Sequence, residues 1–98
     1  MTAVAPDGVR DWLADPPDLG EAYLSVDVDA ADPGVAPGTG TPEPFGLDSR
    51  TMRDAVRGLA PACTGFDVVE VTDRDDGQTA SLAAKLLREF VFAHADGA

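Results

Sequence analysis

One stretch decides the fold, the run Ala22-Tyr-Leu-Ser-Val-Asp-Val28. Its β-branched and aromatic side chains are typical of a buried β-strand. A second stretch of the same kind follows further along the chain, Gly65-Phe-Asp-Val-Val-Glu-Val71. Each stretch contains or ends in carboxylates, so acidic side chains are expected at the carboxyl end of both strands.

Two helices are predicted from apolar side chains that recur every three or four residues. The first begins after Asp48 or Ser49, either of which can cap it, and ends near Leu59. The second runs from Thr79 to about Ala95. A strand, a helix and a second strand in this order predict an α/β fold, with a parallel sheet and a right-handed helical crossover. Because parallel sheets rarely consist of two strands, we expect the chain to form one end of a larger sheet.

The charge of the chain excludes two classes of partner. Eighteen acidic and seven basic residues give a net charge of −11, which repels nucleic acids and anionic membranes. No apolar run reaches the ~18 residues that cross a bilayer, and the first residues do not resemble a signal peptide. The single cysteine, Cys63, cannot form an internal disulfide. We therefore expect a cytoplasmic protein. The acidic run Asp73-Arg-Asp-Asp76 is interpreted as a solvated turn.

The first strand leads into a long loop that carries the candidate chemistry. Residues 29–46 contain four prolines and four glycines, which exclude a helix or a regular strand. Asp27 and Asp29 stand where the loop begins, and their oxygens suit hard ions such as Mn²⁺, Mg²⁺ or Ca²⁺. The spacing does not match an EF-hand or a phosphate-binding loop. On these residues alone, the alternative is that both aspartates are solvated turn formers.

A longer run carries a specific resemblance. The residues from Tyr23 to Pro44, YLSVDVDAADPGVAPGTGTPEP, resemble the second metal-binding signature of the ureohydrolase family, which includes arginases and agmatinases. The stretch from Gly65 to Val71 resembles the strand that follows in that family. The resemblance implies a parallel sheet with flanking helices, as part of an arginase-like three-layer α/β/α fold. Phe45 departs from the pattern, since glycine is common there.

The resemblance implies roles for four residues. Asp27 would bridge two Mn²⁺ ions, and Asp29 would bind one of them. Thr41 would line the pocket for a guanidinium group, and Glu70 would pair with that group. In such a site the two metal ions activate a water molecule for attack on the guanidinium carbon. The implied substrate is a small cationic guanidino compound of the agmatine type, hydrolysed to an amine and urea.

The match covers only about the C-terminal third of a family member. The family's first metal-binding histidine, its D-x-H-x-D signature and its proton-shuttling histidine have no counterpart here, and His94 is interpreted as a surface residue or a helix-terminal charge. Two carboxylates do not hold a binuclear site, so we expect the chain alone to be inactive.

Residues 1–98 are accordingly interpreted as a single C-terminal fragment of an arginase-like domain. Residues 1–20 are a lead-in, and residues 21–98 are the matching region. We expect the fragment to associate with the missing N-terminal part or to form a homo-oligomer. The alternative is a non-catalytic remnant that acts as an interaction or oligomerisation module, because unpaired strand edges and apolar helix faces favour association.

Overall fold

The computed structural model describes residues 3–40, 44–72 and 74–97. Its main elements are α1 (Val9–Ala14), β1 (Ala22–Asp27), α2 (Ser49–Leu59), β2 (Cys63–Val69) and α3 (Gln78–Gly97). β1 and β2 pair in parallel, with Tyr23 opposite Gly65 and Asp27 opposite Val69. The predicted α/β fold and its element order are confirmed, although β2 begins two residues earlier than expected and ends before Glu70.

The start of α2 follows from its sequence. The Asp48 carboxylate accepts a hydrogen bond from the backbone N–H of Thr51 at 2.7 Å, which caps the first turn as predicted. Met52 and Val56 share the buried face of the helix. A short 3-10 turn, Ala60–Ala62, follows α2 and leads into β2. The crossover between the two strands is therefore a capped amphipathic helix.

The core lies between one face of the sheet and helices α2 and α3. Successive side chains of a strand point to opposite faces of the sheet, so every second strand residue faces the core. These residues are Leu24, Val26, Phe66 and Val68. Leu86 of α3 is only 2% exposed within this cluster. The rings of Phe66 and Phe90 stack with their centroids 4.7 Å apart, which joins β2 to α3.

The opposite face of the sheet is exposed and polar. The hydroxyl groups of Tyr23 and Ser25 both donate to the Asp67 carboxylate, at 2.8 and 2.5 Å. These two donors, that of Ser25 first, hold the pKa of Asp67 below its usual range. The Tyr23 ring lies across Gly65, where a Cβ would come within 2.5 Å of the ring. This network links β1 to β2 across the exposed face.

Both outer edges of the sheet border an apolar groove. Beside β2 a groove of about 340 Å³ is lined by Phe66, Val68 and Leu87, among others. Beside β1 a groove of about 170 Å³ is lined by residues of the strand and of α2. In the described part of the chain, neither outer edge has a strand partner. A larger sheet can thus continue on both sides, not only on one as the sequence suggested.

His94 is the clearest departure from expectation near the C-terminus. It is half-buried, its Nε2 lies 3.0 Å from the Cys63 carbonyl oxygen, and its ring stacks on Phe90. The interpretation as a surface residue is therefore wrong, because the imidazole packs α3 against the start of β2, whereas its place in the last turn of α3 is as expected. Burial raises the pKa of the neighbouring Cys63 thiol.

None of the helices in the described ranges is long and apolar enough to cross a membrane.

Phe45 adopts a conformation that suits glycine better. Its φ is 63°, in the left-handed region, and its side chain is 87% exposed. Its backbone N–H donates to the Asp32 carboxylate at 3.1 Å. The following Gly46 passes so close to residue 31 that a Cβ would lie 2.6 Å from the Ala31 carbonyl carbon. The chain path at residues 45 and 46 is therefore set by contacts that do not involve the Phe45 ring.

We expect Phe45→Gly to raise the free energy of unfolding by up to ~1 kcal/mol. The left-handed conformation costs a non-glycine residue about 1–2 kcal/mol, whereas glycine loses about 0.5–1 kcal/mol more backbone entropy on folding. Phe45→Ala is the matched control, since it removes the ring and keeps the strain. Urea denaturation followed by circular dichroism measures both variants. Equal stabilities for the two would contradict backbone strain at this position.

Candidate metal and substrate site

Asp27 and Asp29 lie together at the carboxyl end of β1. Asp27 is the last residue of the strand, and its carboxylate accepts a hydrogen bond from the backbone N–H of Asp29 at 2.9 Å. This bond caps the 3-10 turn Val28–Ala30 that begins there. Asp27 is exposed and Asp29 is half-buried. The turn replaces the strand alternation that would send the two side chains to opposite faces.

Asp29 has a buried hydroxyl as a partner. The Thr39 side chain donates a hydrogen bond to its carboxylate, and Thr39 is only 1% exposed. The Arg74 guanidinium in turn donates to the Thr39 carbonyl at 3.3 Å. Asp29 is therefore oriented by a residue from the middle of the proline- and glycine-rich loop.

That loop is held against the start of α3 by a set of hydrogen bonds that we call the loop–helix junction, formed by Gly38, Thr72, Asp75 and Thr79. The Gly38 N–H donates to the Thr79 hydroxyl at 2.7 Å, and the Thr72 N–H donates to the Gly38 carbonyl at 2.7 Å. A Cβ on Gly38 would lie 2.7 Å from the Asp75 carboxylate and 2.8 Å from the Thr79 hydroxyl. The close approach requires glycine at residue 38.

Asp75 organises the α3 end of the junction. Its carboxylate accepts from the Thr79 N–H at 2.9 Å and from the Thr79 hydroxyl at 2.5 Å. Gln78 adds two bonds from its side-chain amide to the carbonyls of Gly34 and Val35, at 3.1 and 2.9 Å. The prediction of a solvated turn is thus wrong for Asp75, because its half-buried carboxylate binds the first turn of α3.

Glu70 stands directly after β2, at the carboxyl end of that strand and thus at the same end of the sheet as Asp27. Val69, the preceding residue, is paired with Asp27 in the strand register. Glu70 is exposed, and its φ of 69° is in the left-handed region. Strained backbone of this kind is concentrated at functional sites. The register brings the carboxyl ends together as the sequence predicted.

The remaining site predictions are less complete. Thr41 lies outside the described residues. Within residues 3–40, 44–72 and 74–97 there is no group of three or more His, Cys, Asp or Glu side chains arranged to hold a metal ion. The oxygen donors of Asp27 and Asp29 fit a hard divalent cation, but two carboxylates alone are too few for a binuclear site. The metal roles of both residues stay predictions.

Sequence reasoning missed the residues that support the site. The contact of Thr39 with Asp29 was not predicted, because a threonine between two glycines forms no sequence pattern that indicates a carboxylate ten residues earlier. Asp75 did carry a signal, since an aspartate shortly before a helix is a common cap. Its second role, holding the Thr79 hydroxyl toward the loop, depends on the tertiary approach of Gly38.

Comparison with known proteins shows to which family the chain belongs. A sequence profile of the arginase family matches residues 4–93. The chain belongs to the arginase family. The solved structure of the agmatine ureohydrolase of Thermoplasma volcanium superposes with a TM-score of 0.83 and 38% identity, covering 91% of this chain and 31% of that one.

Two relatives show the range of the arginase family. Proclavaminate amidinohydrolase of Streptomyces clavuligerus is 40% identical over 93 residues, which cover 90% of this chain and 29% of that protein. Guanidinopropionase of Pseudomonas aeruginosa is 44% identical over 82 residues, which cover 81% of this chain and 26% of that protein. The resemblance to ureohydrolases is confirmed. The chain spans less than a third of the length of these two relatives, so their activities belong to much longer proteins.

We expect the stability of the chain to fall in acid, partly through Asp75. The Thr79 hydroxyl is the main cause that lowers the pKa of Asp75 in the folded chain. Such a carboxyl stabilises the fold above its unfolded pKa, near 4, and this contribution is lost as the pH falls through the folded pKa. Asp75→Asn should therefore be less stable than wild type at neutral pH and closer to it at about pH 2.5.

Urea denaturation at a series of pH values tests this expectation. Asp76→Asn is the matched control at neutral pH, because it removes the same charge from an exposed neighbouring residue. Residue 76 has a φ of 57°, which asparagine tolerates as well as aspartate does. The control should keep wild-type stability. A constant difference between Asp75→Asn and wild type across the whole pH series would contradict the role of the carboxylate.

Proposed function

We propose that this chain supplies part of the active site of a ureohydrolase that cleaves a small linear guanidino compound. One observation carries the proposal: in an arginase-family chain, Asp27, Asp29 and Glu70 lie at or just after the carboxyl ends of two paired parallel strands. Open α/β sheets bind their ligands beyond the carboxyl ends of their strands. The names of the relatives refer to agmatine, guanidinopropionate-type and amidino compounds. The run Thr41-Pro-Glu-Pro44 resembles agmatinase-type members more than arginases, which favours a substrate of the agmatine type.

The proposed cofactor is a pair of Mn²⁺ ions, with Asp27 and Asp29 among the ligands. Carboxylate oxygens suit this cation, and each carboxylate has about four acceptor positions. Asp27 can therefore keep its bond to the backbone of residue 29 and also coordinate a metal ion. When bound, such ions make water nucleophilic at neutral pH. The chain's own contribution is to hold two oxygen donors at one strand end.

The proposed substrate interactions are electrostatic. Glu70 would accept hydrogen bonds from the planar guanidinium, which pairs with a carboxylate through two parallel bonds. That pairing orients the guanidinium carbon relative to Asp27 and Asp29 across the paired strand ends. Thr41 would line the pocket. The net charge of −11 favours approach of a cation to this end of the sheet.

We propose that the remaining ligands come from the N-terminal part of such a domain and that the 98-residue chain alone is inactive. The apolar grooves beside β1 and β2 support such an association, since each leaves a strand edge open to another strand. A non-catalytic module that forms a homo-oligomer through the same edges is the second candidate. We also propose a cytoplasmic location, because the single cysteine needs no oxidising compartment.

Titration of the chain with Mn²⁺ by calorimetry tests the metal ligands. We expect weak binding by the wild-type chain and loss of most of the heat in Asp27→Ala and Asp29→Ala, because each change removes a donor. Asp11→Ala is the control, since it removes an exposed carboxylate from α1. Equal heats in all four proteins would contradict a metal site at the end of β1.

Urea release from agmatine and other guanidino compounds, with excess Mn²⁺, tests the proposed inactivity. We expect no turnover by the purified 98-residue chain, because two carboxylates do not fix the geometry of a binuclear site. Clear turnover that disappears in Glu70→Gln would show that the chain is active by itself and that Glu70 takes part. That result would overturn the proposed need for an N-terminal part.

A further inference from the structure

We propose that Thr39 is a positioning residue for Asp29 and that the loop–helix junction holds Thr39 in place. The inference rests on the proposed role of Asp29 as a metal ligand. It starts from the burial of Thr39, which lies in a loop without regular structure and is nevertheless 1% exposed. A buried hydroxyl needs a hydrogen-bond acceptor, and the acceptor is the Asp29 carboxylate.

The direction of the hydrogen bonds in the junction is determined by chemistry. An ionised carboxylate only accepts, so the Thr79 hydroxyl must donate its single proton to Asp75. The same oxygen is then available to accept the N–H of Gly38. Thr79 is fully buried, so water does not compete for either bond. Asp75 thereby sets the orientation of a hydroxyl that holds the backbone one residue before Thr39.

Two further bonds fix Thr39 itself. Its N–H donates to the Pro37 carbonyl at 2.9 Å, which forms a tight turn. Its carbonyl accepts from Arg74 at 3.3 Å. With its backbone held at both ends, the Thr39 side chain has a defined direction. A bond to a charged acceptor is stronger than one between neutral groups, so it restricts the rotation of the Asp29 carboxylate.

The arrangement joins the two halves of the candidate site. The segment 70–79 begins with Glu70, the candidate substrate carboxylate, and ends with Thr79, which holds the loop that orients Asp29. Outer partners of metal ligands commonly affect affinity by a factor of about 10–100. We therefore expect the junction to affect metal affinity although none of its members is itself a proposed ligand.

The test compares Mn²⁺ dissociation constants, measured by paramagnetic resonance of the free ion, with melting temperatures measured without metal. Thr39→Val keeps the shape and removes the hydroxyl, and it should weaken Mn²⁺ binding about 10-fold or more. Thr39→Ser retains the hydroxyl and should restore binding to near the wild-type value. Thr79→Val and Thr79→Ser form a second pair, which tests the junction without altering a contact of Asp29.

A second readout needs no metal. The carboxyl ¹³C chemical shift of Asp29 should change in Thr39→Val, which lacks the hydroxyl that donates to this carboxylate. It should return to near the wild-type value in Thr39→Ser, which keeps that hydroxyl. Equal Mn²⁺ affinities in wild type and both valine variants would overturn the positioning role and leave the proposed function standing. Equal losses in the valine and serine variants, in proportion to lower melting temperatures, would also overturn it. A wild-type chain without measurable Mn²⁺ binding would overturn the proposed metal roles of Asp27 and Asp29, and this inference with them.

Discussion

The hydrogen bond from the Gly38 N–H to the buried Thr79 hydroxyl is the contact on which the candidate site depends. The loop between β1 and α2 is too rich in proline and glycine to hold its own shape through regular backbone pairing. Its path is set instead by the first turn of α3, through Thr79 and Asp75. This attachment holds the backbone next to Thr39 and so helps to keep its side chain beside Asp29. A helix start that caps itself with Asp75 thus also orders a loop far away in sequence.

The parallel pairing of β1 and β2 adds a second constraint. The register places Asp27 opposite Val69, so Glu70 emerges at the same end of the sheet. Tyr23 and Ser25 reinforce that register through Asp67 on the exposed face. Three non-glycine residues of the described chain have a positive φ: Glu70 beside the candidate site, Phe45 at the end of the loop and Asp76 before α3. Asp32 and the close passage of Gly46 account for the second of these, whereas the first coincides with a proposed substrate contact.

The outcome for individual predictions shows how far local patterns reach. The cap by Asp48 and the buried face of α2 could be predicted, because both depend on residues within one helical turn of each other. The interpretation of His94 as a surface residue failed because it depends on a contact with Cys63, which lies on another element. Asp75 was interpreted as solvated for the same reason. Composition of a turn gives no information on whether a distant glycine packs against it.

The sequence by itself determined the strand–helix–strand order, the α/β class and the candidate carboxylates at the strand ends, since periodicity and turn composition act over short distances. Its resemblance to ureohydrolases also held, because the run from Tyr23 to Pro44 is long and ordered. Only the tertiary structure decided that Thr39 binds Asp29, that Thr79 holds Gly38 and that both sheet edges are open. The two hydrogen bonds join residues that are ten and forty-one positions apart in the sequence. Such contacts form only when packing of α3 on the sheet brings the two loops together.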